Sequence, residues 1–201
     1  MTYVVAAVTA FVLIAPVELP DKTFIATLVL ATRYPPLPTW LGVVAAFFVQ
    51  CVVAVAAGSL LARLPRQPVE IVAALLFLLG AFILFRGARR GDNEEEEERE
   101  FAQKAKEART GLKAFGASFL VLFTAEWGDL SQLLTAGLVA SGKPAVPVFI
   151  GSWAALIVVS GAAVLLGRWL LRRVRLSVVR YVAAAVCAAL AVVTAVPALT
   201  T

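Results

Sequence analysis

Apolar residues run through six stretches of the chain, at roughly 3–31, 39–62, 68–86, 112–140, 144–167 and 177–198. Each is close to, or beyond, the length of about 20 residues that an α-helix needs to cross the hydrocarbon of a bilayer. The pattern predicts six transmembrane helices. The only long hydrophilic stretch, 87–110, divides the chain into a first three-helix unit over 1–87, an acidic linker over 88–111 and a second three-helix unit over 112–201. The glutamates at 94–98 repel one another and read as a solvated linker rather than a cation sensor, whereas 99–109 is rich in helix formers and leads toward the fourth span.

The two units repeat one another. Offset by 108, Glu18, Asp21, Thr23 and Thr27 fall on Glu126, Asp129, Ser131 and Thr135. Offset by 109, after one extra residue in the first connection, Gly42, Ala45, Ala46 and Gly58 fall on Gly151, Ala154, Ala155 and Gly167. Three helices per copy is an odd number, so the copies enter the membrane in opposite orientations, the inverted-topology arrangement of secondary transporters. The expected fold is therefore all-α, with six transmembrane helices in two inverted three-helix repeats.

Composition agrees with this picture and narrows the chemistry. Of the 201 residues 61% are hydrophobic and the mean hydropathy is +0.91, which excludes a soluble domain. The start, Met1-Thr2-Tyr3, has no basic region and no small-residue cleavage motif follows it, so the first helix is expected to be retained. Cys51 and Cys187 stand alone in apolar stretches and read as small hydrophobes. Histidine is absent, which removes the commonest metal ligand, the commonest general base and any Ser-His or Cys-His nucleophile, so any chemistry must run on carboxylates.

The net charge of +5 is unevenly placed. Fourteen Lys and Arg residues lie in the connections after the first, third and fifth spans, against three, Arg63, Arg66 and Lys143, on the other side; Lys22 lies inside the first span. Basic residues accumulate in cytoplasmic loops, so both termini are expected outside and the acidic linker in the cytoplasm, with the chain in the cell inner (plasma) membrane. Clusters that flank helix ends one at a time report topology, not a nucleic-acid surface.

The chemistry concentrates in two short motifs near the middle of the first and fourth spans: Glu18-Leu19-Pro20-Asp21-Lys22-Thr23 and Glu126-Trp127-Gly128-Asp129-Leu130-Ser131. Each places two carboxylates at i and i+3, on one helical face, with a helix breaker, Pro20 or Gly128, between them. An interrupted helix exposes backbone carbonyls beside the acids. A charged side chain at the bilayer centre costs about 2.5–3.5 kcal/mol on insertion scales, and the chain carries that cost at four paired positions. One lysine, Lys22, compensates part of this charge but cannot neutralise four acids. Hard divalent cations such as Mn²⁺, Ca²⁺ and Mg²⁺ favour carboxylate, carbonyl and hydroxyl oxygens, so Glu18, Asp21, Glu126 and Asp129 are the expected metal ligands, with Gln132 as a further one. Thr23 and Ser131 either add hydroxyl ligands or bond back to a helical carbonyl. Trp127 either walls the site or packs in the bundle.

The two motifs and the acidic linker between them resemble the TMEM165/GDT1-like (UPF0016) cation/proton exchangers, within the lysine-exporter-like transporters. That family carries two copies of E-x-G-D-[KR]-[ST], which look like 18–23 and 126–131, and the resemblance covers the whole chain. Pro20 stands where the family has Gly, and Leu130 where it has a basic residue. The resemblance implies export of Mn²⁺ or Ca²⁺ from the cytoplasm in exchange for protons. The cation is then cargo, no cofactor is expected, and the chain is not an enzyme. Its partners are the cation, protons and the lipid bilayer, not nucleic acid, with a homodimer left open.

Two rival readings remain at this level. One is an organic-cation exporter in which the same acids pair an ammonium group. The other is an intramembrane aspartyl hydrolase using Asp21 and Asp129 as a dyad, which leaves Glu18 and Glu126 without a role.

Overall fold

The computed structural model describes residues 2–19, 22–90, 102, 110–173 and 176–200, and the regular structure among them is α-helical. The first stretch forms α1 (Thr2–Glu18) and α2 (Lys22–Arg33), followed by α3 (Pro36–Leu61) and α4 (Arg66–Arg90). After the linker come α5 (Gly111–Ala125), α6 (Leu130–Ala140), α7 (Ala145–Arg173) and α8 (Leu176–Thr200). Six apolar stretches thus become eight helices among the described residues, because the two that carry the motifs are each broken at their acids. The linker at 94–98 lies outside the described residues.

Pro36 opens α3 at a position where its missing N–H removes no helical hydrogen bond. Three stretches, Pro36–Leu61, Gln67–Arg86 and Ala145–Leu165, are long and apolar enough to cross a membrane unbroken. The pair Tyr3–Glu18 and Thr23–Arg33 meets the same test jointly, with its two parts bent by 68°. Gly111–Ala125, Leu130–Ala140 and Ala184–Val196 are shorter apolar helices. The outward faces are apolar, as Val8 and Val12 of α1, Leu75 and Phe82 of α4, and Val192 and Val193 of α8 illustrate. A surface of that kind suits lipid rather than water.

The packing is reciprocal between the halves. Helix α4 lies along α8; α1 packs on α7, and α5 packs on α3; α2 also meets α7, and α6 also meets α3. Close backbone approach drives the two cross-pairings. A Cβ on Gly42 of α3 would overlap the carbonyl oxygen of Phe115 on α5, and a Cβ on Gly151 of α7 would overlap that of Ala7 on α1. Gly42 and Gly151 are 109 apart, and Ala7 and Phe115 are 108 apart, so these contacts are the same contact in two copies. Small residues that let helices touch along their backbones are the usual means of association in membranes, where no hydrophobic effect drives helices together. One apolar core runs through all eight helices, and Trp153 of α7 donates its indole N–H to the Val44 carbonyl of α3 at 3.2 Å.

Candidate functional site

Glu18 is the last residue of α1 and Glu126 caps the end of α5, and both are almost fully enclosed, with 1% and 4% of their surfaces exposed. The better described break is the second. After Ala125 the chain leaves the helix at Glu126 (φ −102°, ψ 15°), turns at Gly128 with φ +80°, and re-enters at Asp129 in an extended conformation. Glycine reaches that positive φ without steric cost, and no side-chain space limits the position. Asp129 is the N-cap of α6: its Oδ2 accepts from the Ser131 backbone N–H at 3.1 Å. A short carboxylate is well suited to that place, where the first N–H groups of a helix have no helical acceptor.

Gln132, one turn into α6, bridges the break from below. Its amide N–H donates to the Glu126 carbonyl at 2.6 Å, and its amide oxygen accepts from the Gly128 backbone N–H at 3.3 Å. In this structure both ends of the amide serve the backbone of the turn. Trp127 is 60% exposed and stands edge-on to Phe123, with ring centroids 4.9 Å apart, so it packs on the outer surface and does not wall the break. Leu130 also points away: its Cδ1 approaches the notch at Gly80 of α4, beside Cys187 of α8.

Around the first break, Thr23 and Thr27 on α2 are buried, and neither hydroxyl has a hydrogen-bond partner among the described residues. The same is true of Ser118 on α5. Thr23 therefore does not bond back to its helix. Asp21 and Pro20 lie outside the described residues, as does the side chain of Lys22.

Helix α3 packs on α5 and also meets α2. Gln50 donates its amide to the carbonyls of Leu122 and Phe123 in the last turn of α5, at 3.5 and 3.4 Å, just before Glu126. Cys51 follows Gln50 on α3. Both α3 residues are buried. Among the described residues no three acids or cysteines converge into a cluster that could hold a metal ion, so Glu18, Glu126 and Asp129 are not drawn into one shell. Gln50, Thr27 and Ser118 were missed as site residues. For Gln50 the signal was in plain view, a single amide in a helix of 26 residues that is otherwise apolar or small.

Three comparisons bear on what these residues do. The family model described as divalent cation/proton antiporter GDT1 matches the chain twice, over 6–92 and 114–201. A GDT1-like protein of Synechocystis is 34% identical over 140 residues, covering 65% of this chain and 68% of that protein. GDT1-like protein 3 of Arabidopsis thaliana is 28% identical over 185 residues, covering 84% of this chain and 63% of the relative. GDT1-like protein 5 of the same plant is 31% identical over 180 residues, covering 75% and 78%. The chain thus spans about two thirds of the length of the first two relatives. No solved structure matches it.

Proposed function

The chain belongs to the GDT1 family of divalent cation/proton antiporters, and from that premise we propose that it exports Mn²⁺ or Ca²⁺ from the cytoplasm in exchange for protons, through one site between the two helix breaks. The observation that carries this reading is the pair of enclosed glutamates, Glu18 and Glu126, each ending a broken helix, with Gln50 of α3 holding the last turn of α5 before Glu126. A carboxylate placed there is expensive unless a cation or proton accompanies it.

In the proposed cycle Glu18, Asp21, Glu126 and Asp129 supply the anionic oxygens. Thr23 and Ser131 add hydroxyls, and Lys22 offsets part of the charge. The free buried hydroxyl of Thr23 supports its place in that shell. Gln132 keeps one acceptor lone pair beyond its bond to Gly128, and holds the break open beside Glu126. When the cation leaves, crowded carboxylates repel one another, and protons relieve that repulsion by occupying the same oxygens. Cation and proton therefore alternate.

The six spans are read as two inverted repeats. The reciprocal glycine contacts and the double match of one family model support that reading. The proposed orientation, in the plasma membrane with termini outside and linker in the cytoplasm, rests on the distribution of basic residues.

The test is flux in proteoliposomes with Mn²⁺ or Ca²⁺ on one side, an imposed pH gradient and a pH dye inside. Cation movement should follow the gradient and drive an opposite proton movement. Cation flux indifferent to the gradient, or transport of lysine in its place, would overturn the reading.

A further inference from the structure

The two breaks differ in what holds them. At the second, two amides grip the backbone around Glu126: Gln132 from α6 and Gln50 from α3. The repeat offsets give the matching positions at the first break. Gln132 corresponds to Phe24, and Gln50 corresponds to Val159. Phe24 and Val159 are buried and pack together with Ala163 in a small apolar cluster of their own, apart from the main core. Where one half of the site has a polar staple, the other has a hydrophobic contact.

Gln50 is the informative member of this set because it lies 72 and 73 residues away in sequence from the carbonyls it grips. It is 3% exposed within a 26-residue helix, and its amide N–H groups reach carbonyls in the final turn of α5. The last carbonyls of a helix have no helical N–H to accept from, so the Phe123 carbonyl gains a donor it would otherwise lack. The contacts are long, at 3.4 and 3.5 Å, and shared between two acceptors, so each is weak as a source of stability. Their geometric effect is larger, since they fix the end of α5 three and four residues before Glu126, relative to α3, which also meets α2 of the first break.

We propose that Gln50 is a positioning residue for Glu126, setting its distance from the Glu18 half of the site and so the grip on the transported cation. The proposal rests on the antiport reading above. It makes the two halves of the site unequal: a buried amide grips the turn before Glu126, whereas the matching position of the other half, Val159, is apolar.

The test replaces the amide with apolar side chains of similar size, Gln50→Leu and Gln50→Met, so that one variant remains if the other folds poorly. In proteoliposomes carrying Mn²⁺, the apparent KM for the cation should rise about three- to tenfold with the maximal rate within about twofold, since loss of one hydrogen bond from a bound state acts on binding. A staple that only supports folding would lower the amount of protein and the maximal rate and leave KM alone; that result overturns the proposal. Amide hydrogen exchange of the segment 122–128 in the purified protein gives a second readout, which should quicken in both variants. Unchanged exchange there also overturns the proposal. If the wild-type protein moves no divalent cation, the antiport reading fails by itself, and the exchange experiment still decides whether Gln50 pins the end of α5.

Discussion

Gly128 shows how a single backbone angle builds the second break. Its φ of +80° is open to glycine and strained for every L-residue, while no neighbouring atom blocks a side chain. Gly128→Ala should therefore cost about 1–2 kcal/mol through backbone strain alone. That corresponds to a fall of a few degrees in the thermal midpoint of the detergent-solubilised protein, with cation flux reduced because Gln132 and Glu126 meet across this turn. Leu130 makes a different case. The sequence marks it as the place where a basic residue is missing from the motif, yet its side chain enters the notch at Gly80. Leu130→Arg should lower the yield of folded protein, whereas the volume-conserving Leu130→Met should not, as size-exclusion profiles would register. At this scale the enclosure of Glu18 and Glu126 was legible, because a carboxylate in an apolar run has little water to reach. Side-chain direction was not legible: the partners of Gln132, Trp127 and Leu130 follow from the exact course of a three-residue turn, which spacing does not fix.

For the elements, the sequence placed the breaks correctly because Pro20 and Gly128 lie between paired acids in spans too long to need them. It could not say which helices touch. That depends on where the backbones come closest, and the glycines that permit it are indistinguishable in sequence from those that do not. Gly42 and Gly151 sit against carbonyl oxygens of Phe115 and Ala7, while Gly116 of α5 has nothing within 4 Å of where a Cβ would stand. Gly42→Ala and Gly151→Ala should each push a helix pair apart and sharply reduce folded protein in membranes. Gly116→Ala should be neutral or stabilising by up to about 1 kcal/mol, since alanine is the better helix former. Thermal stability of the three variants in one detergent tests this directly. Equal losses in all three would mean that the α1–α7 and α3–α5 contacts do not hold the bundle.

Taken as a whole, the molecule joins two copies of one unit, and the antiport reading proposes that they face each other across one site. The periodic apolar runs and the 108 and 109 offsets made the repeat legible, but the packing of α3 on α5 and against α2 was not, since it depends on where the backbones come closest. If Glu18 and Glu126 serve one ion, Glu18→Gln and Glu126→Gln should each abolish cation flux although they are 108 residues apart. An isosteric amide removes a charge without opening a cavity, and it also removes a buried charge that was costly to hold. Folded protein should therefore persist or increase while transport is lost, a combination that separates a functional role from a structural one. The double variant Glu18→Gln/Glu126→Gln should be no worse than either single one, because groups acting as a unit lose their effect together. Two independent pathways would instead give partial losses that multiply. Flux measured for the wild type, both single variants and the double variant at matched protein content distinguishes these cases, and near-normal flux in either single variant would remove that glutamate from the site.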